Sequence, residues 1–327
     1  MFGWGILSTA KIGREQLIPA IVQSTNGFVA GIASRDLSKA QALAKTCGAA
    51  KAYGTYEALL DDPEIDGVYI PLHTSGHVEW TLKAAQAGKH VLCEKPIAMR
   101  AEEIDALIAV RDEKSLVISE AFMVTYHPQW YKVRELIAAG AIGKLKHVDG
   151  AFSYFLRDEN NMRNRVELGG GALRDIGVYP TVTTRFVTGE EPKRLRAKVE
   201  YDPVFGTDIY SNVEAEFDDF TLTFYLATQM AQRQTMVFHG DLGFIEMTAP
   251  FNAGIYDQAR VVLHTQDHGQ HQVFNFKDTN HYQLQAEEFV RATKGQGAVF
   301  SLESSKQNQR LIDGCFEAGK TGDWVKI

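Results

Sequence analysis

Within its first 120 residues the chain repeats one pattern: a short apolar run, a turn of small residues, then a segment with helical spacing of apolar positions. The runs fall at 2–7, 28–33, 51–53, 67–70, 90–93 and 116–118. Continuous apolar runs suit strands buried on both faces, and parallel neighbours need crossover segments of the kind that separate these runs. The alternation therefore predicts a doubly wound, mostly parallel sheet. Past Glu120 the pattern changes. A helical segment at 129–139 is followed by a long alternating run at 145–156, then by β-rich runs at 213–217, 222–226, 236–238, 244–247, 260–264 and 273–276. Strands without intervening helices predict a large, mostly antiparallel sheet in an α+β arrangement, closed by helices near 282–293 and 303–318. A length of 327 residues also exceeds one typical core. Two domains are expected, 1–120 and 121–327.

Composition narrows the partners. A hydrophobic share of 45% with 23% charged residues is that of a globular chain. The net charge of −7 argues against nucleic acid or an anionic membrane surface as the principal partner. Cys47, Cys93 and Cys315 are widely spaced, with no Cys-x-x-Cys pair, which points to a reducing compartment. No leader is expected before the first strand, and no apolar stretch approaches membrane-spanning length. A soluble, cytoplasmic protein is expected.

Three stretches carry the chemistry. After the first run comes Ser8-Thr9-Ala10-Lys11-Ile12-Gly13, which matches G-x-G-x-x-G/A with Ser8 and Ala10 in place of two glycines. Small residues between a strand and a helix let the backbone approach a pyrophosphate at the helix N-terminus, so Ser8, Thr9, Ala10 and Ile12 are candidate cofactor contacts. The second run ends in Ser34-Arg35-Asp36, where the ribose contact belongs. Hydroxyl and guanidinium donors suit a 2′-phosphate, so NADP is favoured; Asp36 leaves NAD open, and a solvated Arg35 is the plainer alternative.

The second stretch is Gly88-Lys89-His90-Val91-Leu92-Cys93-Glu94-Lys95-Pro96, a strand that stops in a charged pair and a proline. Ligands bind outside the carboxyl ends of such strands, which places Glu94 and Lys95 at the expected site. A surface salt bridge is the bland alternative. The strand before it ends Pro71-Leu72-His73-Thr74, and His73 and His77 in that loop are further cofactor candidates, with packing at the helix start the plainer role for His77. The third stretch is Leu168-Gly169-Gly170-Gly171-Ala172-Leu173-Arg174-Asp175-Ile176-Gly177-Val178-Tyr179-Pro180. Its glycines permit close approach, and Asp175 and Tyr179 lie four apart on the following helix, unless Pro180 disturbs it. His264, His268 and His271 have metal-like spacing but no converging cysteine or carboxylate, so no metal is expected. Arg157, Arg163 and Arg165 form a basic loop before the glycine run that could touch substrate hydroxyls or the cofactor, with a solvated loop the plainer reading.

Taken in order, the fingerprint turn, Ser34-Arg35, the His77 loop and the Glu94-Lys95-Pro96 corner resemble the glucose-fructose oxidoreductase/inositol dehydrogenase (Gfo/Idh/MocA) family. The Leu168–Pro180 motif resembles its dimeric dihydrodiol dehydrogenase and NADP-dependent D-xylose dehydrogenase branch. The resemblance implies a Rossmann domain, a lysine beside the nicotinamide at Lys95, a cis Lys95–Pro96 bond, functional roles for Asp175 and Tyr179, and a homodimer formed through the open sheet. It implies an NADP-dependent oxidoreductase acting on a hydroxyl-bearing carbon of an aldose or trans-dihydrodiol. Tyr179 is expected to move the proton, with Lys95 lowering its cost or acting as acid/base itself, and Asp175 holding Lys95 charged. Reduction of 1,5-anhydrofructose, another ketose or a dicarbonyl is the alternative within the class. A non-enzymatic NADP- and sugar-binding regulator is the alternative outside it.

Overall fold

The computed structural model describes residues 1–267 and 269–327. The chain divides into two compact units, Met1–Met123 with Asn280–Gln307, and Val124–Thr279 with Asn308–Ile327.

In the first unit, β1 (Phe2–Leu7), β2 (Gly27–Ala33), β3 (Lys51–Tyr53), β4 (Gly67–Ile70), β5 (His90–Cys93) and β6 (Ile118–Glu120) form one sheet in the order β3-β2-β1-β4-β5-β6. Every pairing is parallel. The order reverses between β1 and β4, the switch point at which such sheets open a crevice. Leu7, Ala33, Val68, Ile70, Val91, Cys93, Leu107 and Ile118 share one buried core, which is why these runs lack polar alternation. The sixth strand begins at Ile118 and not at 116. Ser115 takes a left-handed conformation (φ 52°) and the Leu116 amide closes the preceding helix by donating to the Arg111 carbonyl, 3.0 Å away.

Asn280–Gln307 returns to this unit. The helix His281–Ala292 sets Phe289 5.0 Å from the Trp4 ring and 6.3 Å from Phe2. Glu287 accepts the Thr25 amide at 3.0 Å, and its carbonyl accepts the Asn26 side chain at 2.9 Å. Aromatic cover for β1 thus comes from a segment far along the chain.

The second unit holds β7 (Leu145–Phe155), β8 (Arg194–Tyr201), β9 (Asp208–Glu216), β10 (Thr221–Ala227), β11 (Gln229–Gly240), β12 (Gly243–Met247), β13 (Ala259–Thr265), β14 (His271–Phe276) and β15 (Val325–Lys326). They form one sheet in the order β14-β13-β12-β11-β7-β10-β9-β8-β15. All neighbours are antiparallel except β7 and β10. β8 escaped the reading of apolar runs because its polar and apolar residues alternate and only Leu195 is fully buried; β15 is only two residues long. Pro180 does not stop its helix. A π-helical turn, Leu173–Gly177, precedes it, and the helix Val178–Thr188 runs on.

Candidate active site

The carboxyl ends of β1, β2, β4 and β5 collect the candidates of the first unit. After β1, Ser8 has φ 131°, a conformation that favours glycine, and its Oγ accepts the Ala10 amide at 2.9 Å. A Cβ on Gly13 would meet the Tyr69 ring at 3.4 Å and Pro71 at 3.5 Å, ordinary contact for a helix packed close to the end of β4. Ser8 thus keeps the backbone that a first fingerprint glycine supplies, Ala10 keeps the small second position, and Gly13 keeps the third. Thr9, Ala10 and Ile12 are half-buried at the start of this helix, whose first amides have no intrahelical acceptor. The turn fits a dinucleotide pyrophosphate.

After β2, Ser34 is buried, and its Oγ accepts the Asp36 amide at 3.2 Å. Asp36 caps the helix Leu37–Cys47: its Oδ1 accepts the Ser38 amide (3.0 Å), the Ser38 hydroxyl (2.6 Å) and the Lys39 amide (3.4 Å). The Ser38 hydroxyl is the chief cause of its lowered pKa. Its Oδ1 therefore serves the helix N-terminus. Arg35 faces the Tyr56 hydroxyl.

After β5, the Glu94 amide donates to the Ile70 carbonyl at 3.1 Å, extending the β4–β5 pairing one step. Glu94 Oε1 accepts the Tyr69 hydroxyl at 2.6 Å, and Oε2 accepts the Lys95 amide at 3.3 Å. Burial, reinforced by the Glu94 charge, pushes the Tyr69 phenol well up, so it stays a donor. The Lys95–Pro96 peptide is cis. His77 is 1% exposed, with Nδ1 2.7 Å from the Pro96 carbonyl and Nε2 2.9 Å from the Leu72 carbonyl. Burial pulls its pKa down to about 4 against the opposite pull of the two carbonyls. Desolvation of a fully enclosed ring dominates, so at neutral pH the imidazole is uncharged and donates to one carbonyl at a time. His77 is thus a strut between two strand-end loops. His73 lies beside the Ser75 hydroxyl, Nδ1 to Oγ 2.9 Å, and is half-buried.

In the second unit, Asp175 and Tyr179 both address one face of β7, where Phe152 and Tyr154 stand two residues apart. The Tyr179 ring, 5% exposed, lies 5.7 Å from Phe152 and 5.6 Å from Phe251. Asp175 Oδ2 accepts the Tyr154 hydroxyl at 2.6 Å and Arg163 Nε at 2.7 Å. Burial, then the Asp175 charge, pushes the Tyr154 phenol well up. Arg163 is half-exposed, but its charge is matched by Asp175, and Tyr179 also faces it. Arg157 pairs with Asp202 (3.8 Å) and Arg165 with Glu167 (2.6 Å).

The segment carrying Asp175 is anchored by Asp208 at the start of β9. Its Oδ2 accepts the Leu173 amide at 2.6 Å, and burial lifts its pKa to about 6. Gly171 has φ 116°, and a Cβ there would run into the Asp208 carboxylate. Tyr154 and Asp208 went unread in the sequence. The i, i+2 relation of Phe152 and Tyr154 was the available signal for the first, and nothing local marks the second. His264 stacks on Phe244 with ring centres 4.2 Å apart and lies 6.1 Å from the His271 ring; His268 lies outside the described residues. Among the described residues no group of three or more His, Cys, Asp or Glu is placed to hold a metal ion, and no helix is long and apolar enough to cross a membrane.

Residues 2–122 match the oxidoreductase family with NAD-binding Rossmann fold, and residues 130–246 match the GFO/IDH/MocA C-terminal domain. An uncharacterised oxidoreductase of Rhizobium meliloti is 37% identical over 99% of this chain and 98% of its own. An NADP(+) D-xylose 1-dehydrogenase of Haloferax volcanii is 33% identical over 99% of both. The crystal structure of a 3-ketoreductase from Actinomadura kijaniata with NADP and TDP-benzene superposes with a TM-score of 0.91 at 27% identity, over 97% of each chain. A parallel sheet in the order 3-2-1-4-5-6, a second, mostly antiparallel sheet and full-length likeness to named reductases and dehydrogenases agree: the chain belongs to the GFO/IDH/MocA oxidoreductase family.

Proposed function

We propose that this protein is an NADP-dependent oxidoreductase that transfers a hydride between the nicotinamide and a hydroxyl-bearing carbon of an aldose or a trans-dihydrodiol. The observation that carries the reading is Lys95, set at the carboxyl edge of a parallel sheet directly beyond β5. The likeness to the Haloferax volcanii D-xylose dehydrogenase supports the sugar. Cofactor choice rests on Ser34 and Arg35 as donors to a 2′-phosphate, supported by Asp36 serving as a helix cap.

The nicotinamide supplies the hydride chemistry. The chain's part is to hold the substrate and manage one proton. Tyr179 takes the proton of the substrate hydroxyl at its phenolic oxygen during oxidation and returns it during reduction, and Lys95 stabilises the phenolate. Asp175 fixes Arg163 and Tyr154 around the same oxygen-rich substrate. Ser8, Thr9, Ala10 and Ile12 receive the pyrophosphate, and His73, Glu94 and Lys95 border the nicotinamide ribose; His77 acts through Pro96. Two copies join through the open face of the nine-stranded sheet, which light scattering in solution tests.

The likeness to the 3-ketoreductase favours a second reading within the class, reduction of a ketose or dicarbonyl as the working direction. Comparing pH–rate profiles of Tyr179→Phe and Lys95→Met separates the two proton carriers. An active Tyr179→Phe enzyme with its basic limb unchanged removes Tyr179 from the role.

A further inference from the structure

The last residue of β6 is a carboxyl that the mechanism above does not use. Glu120 pairs in register with Cys93 and is 3% exposed. The Ala121 amide donates to the Cys93 carbonyl at 2.7 Å, so β5 and β6 clamp the side chain against the turn that follows β5. There its Oε1 accepts the amide hydrogen of Ile97 at 3.0 Å, two residues beyond Lys95. Lys95 and Glu94 face it from the turn, Cys93 from β5 and Ser305 from the helix Leu302–Thr321. Tyr69 of β4 stands behind Glu94. All of these residues belong to the first unit.

We propose that Glu120 is a positioning residue for the hydride-transfer reaction, fixing the Pro96–Ile97 turn through the Ile97 amide and setting the charge that Lys95 meets. This rests on the reading of Lys95 given above. Two carboxyls address Lys95, Glu94 through its backbone amide and Glu120 through its charge, and they differ in surroundings. Glu94 is half-buried and takes the Tyr69 hydroxyl and the Lys95 amide. Glu120 is enclosed, and burial lifts its pKa to about 7, with the Ile97 amide and Lys95 pulling the other way. Below that pH Lys95 faces a neutral acid on this side, and above it an anion. The proton carried by Glu120 is separate from the one exchanged with substrate, so it enters the pH dependence of turnover without entering the stoichiometry.

The test is the pH–rate profile of the full-length enzyme with NADPH and a working substrate, for the parent, Glu120→Gln and Glu120→Asp. Glutamine keeps an oxygen for the Ile97 amide but cannot titrate. Its NADPH affinity stays within about threefold of the parent, and the inflection near 7 disappears. Aspartate titrates but reaches less far, so it keeps an inflection and lowers kcat by about tenfold. An active parent whose glutamine variant keeps the inflection, or whose aspartate variant loses it, overturns the assignment of Glu120 alone. A parent that binds NADPH and turns over no substrate overturns the functional reading instead.

Discussion

The hydroxyl of Tyr154 donates to Oδ2 of Asp175 at 2.6 Å, and the same oxygen receives Nε of Arg163 at 2.7 Å. Asp175 is thus the centre of a local network. Tyr154→Phe removes one donor from a shared carboxylate. The expected loss of stability is about 1 kcal/mol, and kcat/KM falls about tenfold as Arg163 loses its fixed orientation. NADPH affinity is unchanged. A variant that binds substrate and turns over like the parent would show that the network is only structural.

Gly171 sits at φ 116° with its missing Cβ aimed at Asp208. Gly171→Ala is therefore strained in backbone and blocked in space, and urea unfolding should show a loss of about 3 kcal/mol or more. Asp208→Asn keeps an oxygen for the Leu173 amide and is the milder change. An alanine variant as stable as the parent contradicts the anchoring role of Asp208.

Arg35 provides the cofactor prediction. Arg35→Ala should raise the dissociation constant for NADPH by about tenfold or more while leaving that for NADH within about twofold. Equal losses for both cofactors would move Arg35 away from the 2′-phosphate.

Stability depends on pH through two groups of opposite sign. His77 and His127 are held near about 4 by burial, while an unfolded imidazole takes its proton near 6.5. The unfolded chain binds those protons first, so their contribution is complete above 6.5 and is lost as pH falls towards 4. Glu120 and Asp208 are raised to about 7 and about 6, so the stability they contribute is complete at low pH and is lost as pH rises through those values. Urea midpoints across pH should show both slopes. His77→Gln should flatten the acid slope, and Glu120→Gln the slope near 7. Slopes identical to the parent would contradict these origins.

Most of the first unit was legible because each parallel strand is buried on both faces and reads as an apolar run. β8 and β15 were not: β8 alternates polar and apolar residues, and β15 at the sheet edge is only two residues long. The return of Asn280–Gln307 was illegible for another reason: nothing in Phe289 says that its ring will meet Trp4, more than 280 residues earlier. The fingerprint, Ser34-Arg35 and Lys95 could be read from local pattern alone. The partners of Asp175, and the anchoring carboxyls Glu120 and Asp208, depend on contacts between segments apart in the chain, which spacing does not encode.

The central claim is that Lys95 belongs to a hydride-transfer site. The most direct measurement follows the absorbance of reduced nicotinamide when the enzyme meets NADP and a panel of aldoses and trans-dihydrodiols, beside Lys95→Met under the same conditions. A hydride-transfer role for Lys95 predicts turnover of at least one member by the parent, and a loss of about a thousandfold in Lys95→Met with NADP binding retained. A parent that binds NADP yet turns over nothing, or a Lys95→Met variant as fast as the parent, contradicts it.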